Sequence, residues 1–225
     1  DQKRVEVNNM TIANTTFTPF HPHISGLLDA YDPIIRGFNI KNLTFKATNE
    51  TPTFEDTKIE YLKFFVPQGN LIIKNWHVSE IRIDIKNNAE VDTLHITGES
   101  AEHYIFLHIS NGCNLKKLIF ENVFEGDIWP SSSTEPLNIE SISFINVKEL
   151  RNDVIEHIEN IKEISIKQCK FYSLPETEAN AIYHITNSVC PIKINDKWYD
   201  VGITNFVGTR EQFIQFIQTY KNRTY

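Results

Sequence analysis

Four stretches decide how this chain folds: Val91-Asp-Thr-Leu94-His-Ile96, Leu115-Lys-Lys-Leu118-Ile-Phe120, Ile139-Glu-Ser-Ile142-Ser-Phe144 and Ile161-Lys-Glu-Ile164-Ser-Ile166. Their starts lie 24, 24 and 22 residues apart, and each carries apolar residues at its first, fourth and sixth positions. The fourth and sixth are two apart, so in an extended strand they share one side, while the first turns in from the preceding loop. A single unit of this kind cannot keep its apolar edge dry. A fixed period therefore predicts stacked units with one continuous core. Ile59-Glu-Tyr-Leu62-Lys-Phe64 and Val78-Ser-Glu-Ile81-Arg-Ile83 fit the same rhythm at irregular spacing.

Extending the last stretch gives Ile161-Lys-Glu-Ile-Ser-Ile-Lys-Gln-Cys169-Lys-Phe171-Tyr-Ser-Leu174-Pro175. This resembles the repeat of the leucine-rich-repeat family, L-x-x-L-x-L-x-x-N/C-x-L, with Cys169 at the Asn/Cys position. Val123 and Val147 stand there in the two preceding repeats. The resemblance covers roughly residues 55 to 190. It implies a β-rich solenoid: an α/β leucine-rich-repeat-like horseshoe of stacked short parallel strands, capped by a C-terminal helix. A right-handed parallel β-helix is the structural alternative, because it stacks short strands at similar periods. Leu150, Val154, Ile155 and Ile158 recur at helical spacing, which predicts a helix on the return path and favours the horseshoe. Trp129-Pro130-Ser-Ser-Ser cannot continue a helix and reads as an insertion at a repeat edge.

Three regions follow: residues 1–55 as an N-terminal cap and first strands, 56–190 as the solenoid, and 191–225 as a C-terminal cap. Pro19, Pro22 and Pro33 punctuate the first, and Phe38–Phe45 reads as an early strand. In the last, Thr209-Arg-Glu-Gln212 matches a capping box, and Phe213, Ile214, Phe216, Ile217 and Tyr220 follow at helical spacing. That helix is expected to close the final coil.

The hydrophobic fraction of 40% is dominated by Ile, Leu, Val and Phe, which suit strands. A net charge of -7 sets nucleic acid and anionic membranes aside as principal partners. No apolar run approaches the ~18 residues of a membrane span. Sequons at Asn9, Asn14, Asn42, Asn49 and Asn222 point to a secreted or extracellular glycoprotein whose signal peptide has been removed. Of the three cysteines, Cys169 and Cys190 are the expected disulfide pair because they fall on neighbouring coils. Burial of all three, Cys113 included, as small apolar side chains is the alternative.

Chemistry-bearing motifs are sparse. His21-Pro-His23 has a metal-compatible spacing without an evident third ligand, so no metal or other cofactor is expected. Asp84, Asp92, Glu99 and Glu102 are the carboxylates that a polysaccharide-acting enzyme of the β-helix type would draw on. No nucleophile, P-loop or dinucleotide motif occurs, so no catalytic residue is assigned. If the horseshoe holds, the concave strand face presents His95, Thr97, Lys117, Ile119, Glu121, Ser143, Ile145, Ser165 and Lys167. Ile119 and Ile145 fall in adjacent coils and are costly to leave in water. The expected function is binding of a protein partner through that face, and immune recognition is one role the resemblance allows. An elongated secreted lipid carrier, suggested by the strand-rich first hundred residues, is the remaining alternative.

Overall fold

The computed structural model describes residues 5–13, 34–46, 53–66, 71–73, 76–86, 90–98, 103–109, 114–130, 137–151, 153–155, 158–177 and 180–223. The described chain is mostly strand. Ten strands form one long, mostly parallel sheet. They are β1 (Val5–Ala13), β3 (Phe38–Lys46), β5 (Lys58–Val66), β8 (Glu90–Gly98), β10 (Asn114–Glu121), β12 (Leu137–Ile145), β13 (Ile158–Glu159), β14 (Glu163–Lys167), β15 (Ile182–Ile194) and β16 (Lys197–Gly208). The spatial order is β1-β3-β5-β8-β10-β12-β14-β15-β16, with β13 also paired to β12 and only the β15–β16 pair antiparallel. A second sheet contains β2 (Ile34–Arg36), β4 (Thr53–Glu55), β6 (Leu71–Ile73), β7 (Trp76–Lys86), β9 (His103–Ile109) and β11 (Glu125–Pro130). From β2 to β12 the chain passes between the two sheets, and the buried side chains of both form one core.

The apolar rhythm becomes rows. Leu43, Leu62, Leu94, Leu118, Ile142, Ile164 and Tyr183 are register partners across seven successive strands of the long sheet. All seven are buried. Phe64, Ile96, Phe120, Phe144, Ile166 and Ile185 form the second row, in which the Phe120 and Phe144 rings stack at 6.1 Å. The first position of the motif lies within the strand, where Ile40, Ile59, Val91, Leu115 and Ile139 align. The fourth position is three residues further along, so a regular pleat would point the two to opposite faces. The sheet resolves this by skipping a residue: Lys41, Glu60, Asp92, Lys116 and Glu140 drop out of the pairing in every strand. Both apolar positions then face inward.

Three exits from strands of the long sheet and one turn within β15 are built alike. Asn122, Asn146, Gln168 and Asn187 have φ of 54°, 52°, 56° and 48°, the left-handed region that Asn tolerates better than most residues. Each is followed by a small buried residue: Val123, Val147, Cys169 and Ser188. Backbone N–H groups tie these corners together, Asn122 donating to Ile145 O at 3.0 Å, Asn146 to Lys167 O at 2.8 Å and Gln168 to Thr186 O at 3.0 Å. Asn146 Nδ2 also donates to Asn122 Oδ1 at 2.9 Å. Where the buried residue carries a donor, it bonds the turn. Cys169 Sγ donates to Lys167 O at 3.2 Å and Ser188 Oγ to Thr186 O at 2.9 Å. At Asn187 the inward set of β15 switches parity, from Tyr183 and Ile185 to Ser188, Cys190 and Ile192.

Several expectations are corrected here. Val78–Ile83 belongs to β7 in the second sheet, which accounts for its irregular spacing. Residues 150–161 form no helix among the described positions. Leu150 makes an isolated bridge to Phe171, Val154 and Ile155 lie in a turn, and Ile158 begins β13. All four are buried as the spacing required; the backbone reaches the core without a helix because inward-facing side chains do not dictate the path between them. Trp129 and Pro130 end β11, the edge strand of the second sheet, where a missing N–H is tolerated. The long sheet takes in β1 and β3, from the region read as cap and first strands, and the whole of β15.

The C-terminal helix α1 (Arg210–Arg223) forms as the capping box predicts. Gln212 N–H donates to Thr209 Oγ1 at 3.3 Å and Thr209 N–H to Gln212 Oε1 at 2.9 Å. Its Phe213 and Ile217 are buried against the hairpin of β15 and β16. No helix of the described residues is long and apolar enough to cross a membrane.

Leu118→Ala, which empties the middle of the longest row, is expected to lower unfolding free energy by about 2–5 kcal/mol in urea denaturation. Asn146→Ala should cost about 1–2 kcal/mol, because alanine keeps a disfavoured φ without the amide ladder, and Asn146→Gly should cost less. Equal losses for Ala and Gly would remove left-handed strain from the account of the corner.

Candidate functional site

The nine residues assigned to a strand face do gather on one side of the long sheet, opposite the leucine rows, on four adjacent strands. His95, Ile119, Ser143 and Ser165 are successive register partners, as are Thr97, Glu121, Ile145 and Lys167; Lys117 lies one pleat away in line with Thr93 and Ser141. They are not equally wetted. Lys117 and Lys167 are exposed, Ile119, Glu121, Ile145 and Ser165 are half-buried, and His95, Thr97 and Ser143 are buried at 6%, 4% and 6% exposure. The last three are too little exposed to be the open positions expected of them.

His95 is the centre of what covers this face. The Tyr61 hydroxyl reaches His95 Nδ1 across from β5, and Glu121 Oε2 lies 3.0 Å from Nε2 on the β10 side. The Tyr61 ring meets the imidazole edge-on, with centroids 5.9 Å apart at 75°. Burial pushes the His95 pKa below the usual imidazole value and Lys63, its register partner on β5, adds to this; Glu121 opposes both. Burial and then Glu121 raise the Tyr61 pKa, so its hydroxyl keeps its proton. One protonation state fits both shifts: a neutral imidazole accepts from Tyr61 at Nδ1 and keeps its proton on Nε2, which lies 3.0 Å from Glu121 Oε2 without hydrogen-bond alignment. The contacts Tyr61–His95–Glu121 span three strands. A tyrosine held in its protonated form is a hydrogen-bond donor and a poor nucleophile.

Tyr61 and Lys63 were not among the sequence candidates. Their strand lies 32 residues before its successor, counting from Leu62 to Leu94, so the fixed period passes over it. The signal available was the motif at Ile59–Phe64, read with the same face assignment as the later repeats.

The other candidates fall into different surroundings. Asp92 pairs with Lys116 at 2.9 Å beside a groove of about 380 Å³, where Glu90 and Glu140 pair with Lys58 and Lys162 at 3.2 and 3.1 Å. Asp84 lies on β7 in the second sheet, and Glu99 and Glu102 lie outside the described residues. His21, His23, Cys113, Asn14 and Asn49 also lie outside them. Among the described residues no group of three His, Cys, Asp or Glu side chains is placed to hold a metal ion.

Cys169 and Cys190 are both free and buried, which corrects the expected disulfide. The bridge between Lys170 and Val189 sets the register that separates them. Cys169 therefore lies beside Ser188, whose Oγ accepts its N–H at 3.1 Å, while Cys190 falls two residues on, beside Phe171. Burial pushes each thiol up to about 11, so neither is an activated thiolate. Asn9 and Asn42 are exposed register partners on β1 and β3, with Asn42 Nδ2 donating to Asn9 Oδ1 at 3.1 Å. Two sugars on amides one strand spacing apart, about 4.8 Å, would crowd each other. Asn222 is exposed on α1.

No family model matches the chain, and no curated protein or solved structure matches it either. Nothing in these comparisons identifies a leucine-rich-repeat family.

A depressed imidazole pKa means that the unfolded chain binds the proton more readily than the folded one. The contribution of His95 to stability is therefore complete above the ordinary value of 6.5 and is lost as pH falls below it. An NMR titration should place the His95 midpoint below 6.5. Glu121→Gln should move it lower still, Lys63→Met should move it upward, and a midpoint at or above the ordinary value would discard the neutral-imidazole arrangement.

Proposed function

We propose that this chain is a binding module that recognises a protein partner through the outer face of its long parallel sheet, around Ile119, Ile145 and Glu121. One observation carries the reading. Ile119 and Ile145 are diagonal neighbours on β10 and β12, both half-exposed, and they sit among Lys117, Lys167 and the Glu121 carboxylate, which approaches a buried histidine at 3.0 Å. An apolar centre within a polar, charged rim is the composition of a protein contact surface. Rigid strands hold it, so little side-chain order is lost on association. The pairing of Asp92, Glu90 and Glu140 with lysines favours recognition over carboxylate catalysis.

A strand return path between β2 and β12 supports a parallel β-helix more than a helix-backed horseshoe for the solenoid-like part. An extracellular setting belongs to the same proposal and rests on the sequons, of which Asn222 is, among the described residues, the exposed site outside the sheet.

The test is proximity labelling in the secretory pathway and medium with the wild-type chain, the Ile119→Asp/Ile145→Asp double variant and a Lys148→Glu control at an exposed corner. A partner of this face should be enriched by wild type and control and fall by at least about tenfold with the double variant, whose circular dichroism should be unchanged. Enrichment that survives the double variant would mean that the strand face is only a wetted surface.

A further inference from the structure

The last coil ends in a groove of about 340 Å³ between the β15–β16 hairpin, the 172–174 segment and α1. Its existence follows from how the end of the sheet is closed. Past the left-handed corner at Asn187, β15 carries Cys190 and Ile192 inward, and α1 lays Phe213 and Ile217 over the same core. Helix and hairpin diverge from that contact, leaving an apolar floor of Leu174, Cys190, Ile192, Phe213 and Ile217.

The rim is what a simple cap does not explain. Six large apolar side chains are exposed among the described residues, and three of them, Trp198 at 61%, Tyr172 at 52% and Ile214 at 45%, line this one groove. Tyr172 and Trp198 meet edge-on at 5.5 Å across its mouth. Scattered exposed apolar residues are ordinary, but a cluster around a concavity marks a binding surface. Charge adds a direction. The chain carries 29 acidic against 22 basic residues, yet the groove is lined by Lys193, Arg210 and Lys221 and by no carboxylate. Lys193 and Arg210 are held from outside the lining by Asp196 and Glu176, in exposed pairs of the kind that contribute little and can be exchanged for a ligand's charge.

We infer that this groove binds a free long-chain carboxylate, its hydrocarbon tail on the apolar floor under Tyr172 and Trp198 and its head among the cations on and facing α1. The volume lies at the lower end of the ~300–1,000 Å³ of small-molecule sites, which suits one acyl chain better than a folded or extended peptide. The site is separate from the strand face and from the lipid-carrier alternative, which drew on the first hundred residues.

Calorimetric titration of the full chain with laurate and with dodecyltrimethylammonium, both below their micellar concentrations, tests it. Laurate should saturate one site and bind at least about tenfold more tightly than the cation of equal chain length. Lys221→Glu should weaken laurate by about tenfold with a smaller effect on the cationic amphiphile, and Ile214→Asp, at an exposed position that α1 does not need for packing, should weaken both. Lys148→Glu, at an exposed corner away from the groove, should leave laurate binding unchanged, and far-ultraviolet circular dichroism should report an intact fold for every variant. Absence of saturable binding, equal affinity for the two amphiphiles, or laurate binding indifferent to both groove variants would each overturn the inference. So would uptake by anionic vesicles with no binding of monomeric laurate, or displacement of laurate by an acidic aromatic peptide that binds more tightly.

Discussion

In-register parallel pairing is the constraint from which the rest of this molecule follows. Each strand offers the core only two or three apolar side chains, and those stay dry only when the strands on both sides supply the same positions. The row from Leu43 to Tyr183 is the outcome, seven side chains from seven strands with no polar interruption. A slip of one residue in β10 would put Lys117 or Ile119 where Leu118 belongs and reverse the strand's two faces. The register that buries Leu118 is thus the register that lines up His95, Ile119, Ser143 and Ser165 on the other side. Core and outer face are two consequences of a single alignment.

Pairing alone does not turn the chain at the end of a strand. That is done by Asn122, Asn146 and Gln168 just past β10, β12 and β14, and Asn187 makes the same left-handed turn within β15; each is followed by a residue small enough to enter the corner. Hydrogen bonds from coil to coil make these strained positions mutually supporting. The stack must also end, and its ends differ from its middle. At the last coil an antiparallel hairpin and α1 replace the next parallel strand, so the fit against the core is set by Phe213 and Ile217 and not by a repeat. The groove around Trp198 belongs to that change of architecture.

The outer face is less uniform than an alternating strand suggests. Tyr61 and Glu121 reach over His95 from neighbouring strands, and burial rather than charge dominates its titration. This gives the face a rigid polar point beside the half-exposed Ile119 and Ile145. Under the proposed reading, a carboxylate next to an apolar patch would discriminate among partners through charge placement as well as shape.

Much of this was legible before any coordinates. The one-four-six rhythm identified the core rows and, by exclusion, the opposite face, because side-chain alternation is a local property of an extended chain. The capping box at Thr209 and Gln212 placed α1 for the same reason. Other features depended on what lies beside a residue, which a linear pattern does not record. Leu150, Val154, Ile155 and Ile158 face inward as read, yet a turn and a short strand carry them instead of a helix, since burial fixes direction and leaves the path open. The same pattern in β7 served the second sheet, the cysteines missed each other by two residues of register, and His95 was covered by a tyrosine 34 residues earlier. The sequence by itself determined which side chains are inside and which share a face, because those follow from periodicity. Only the tertiary structure decided which strands are neighbours, which outer residues are covered and where the last coil leaves a groove, because each of these depends on contacts between segments far apart in the chain.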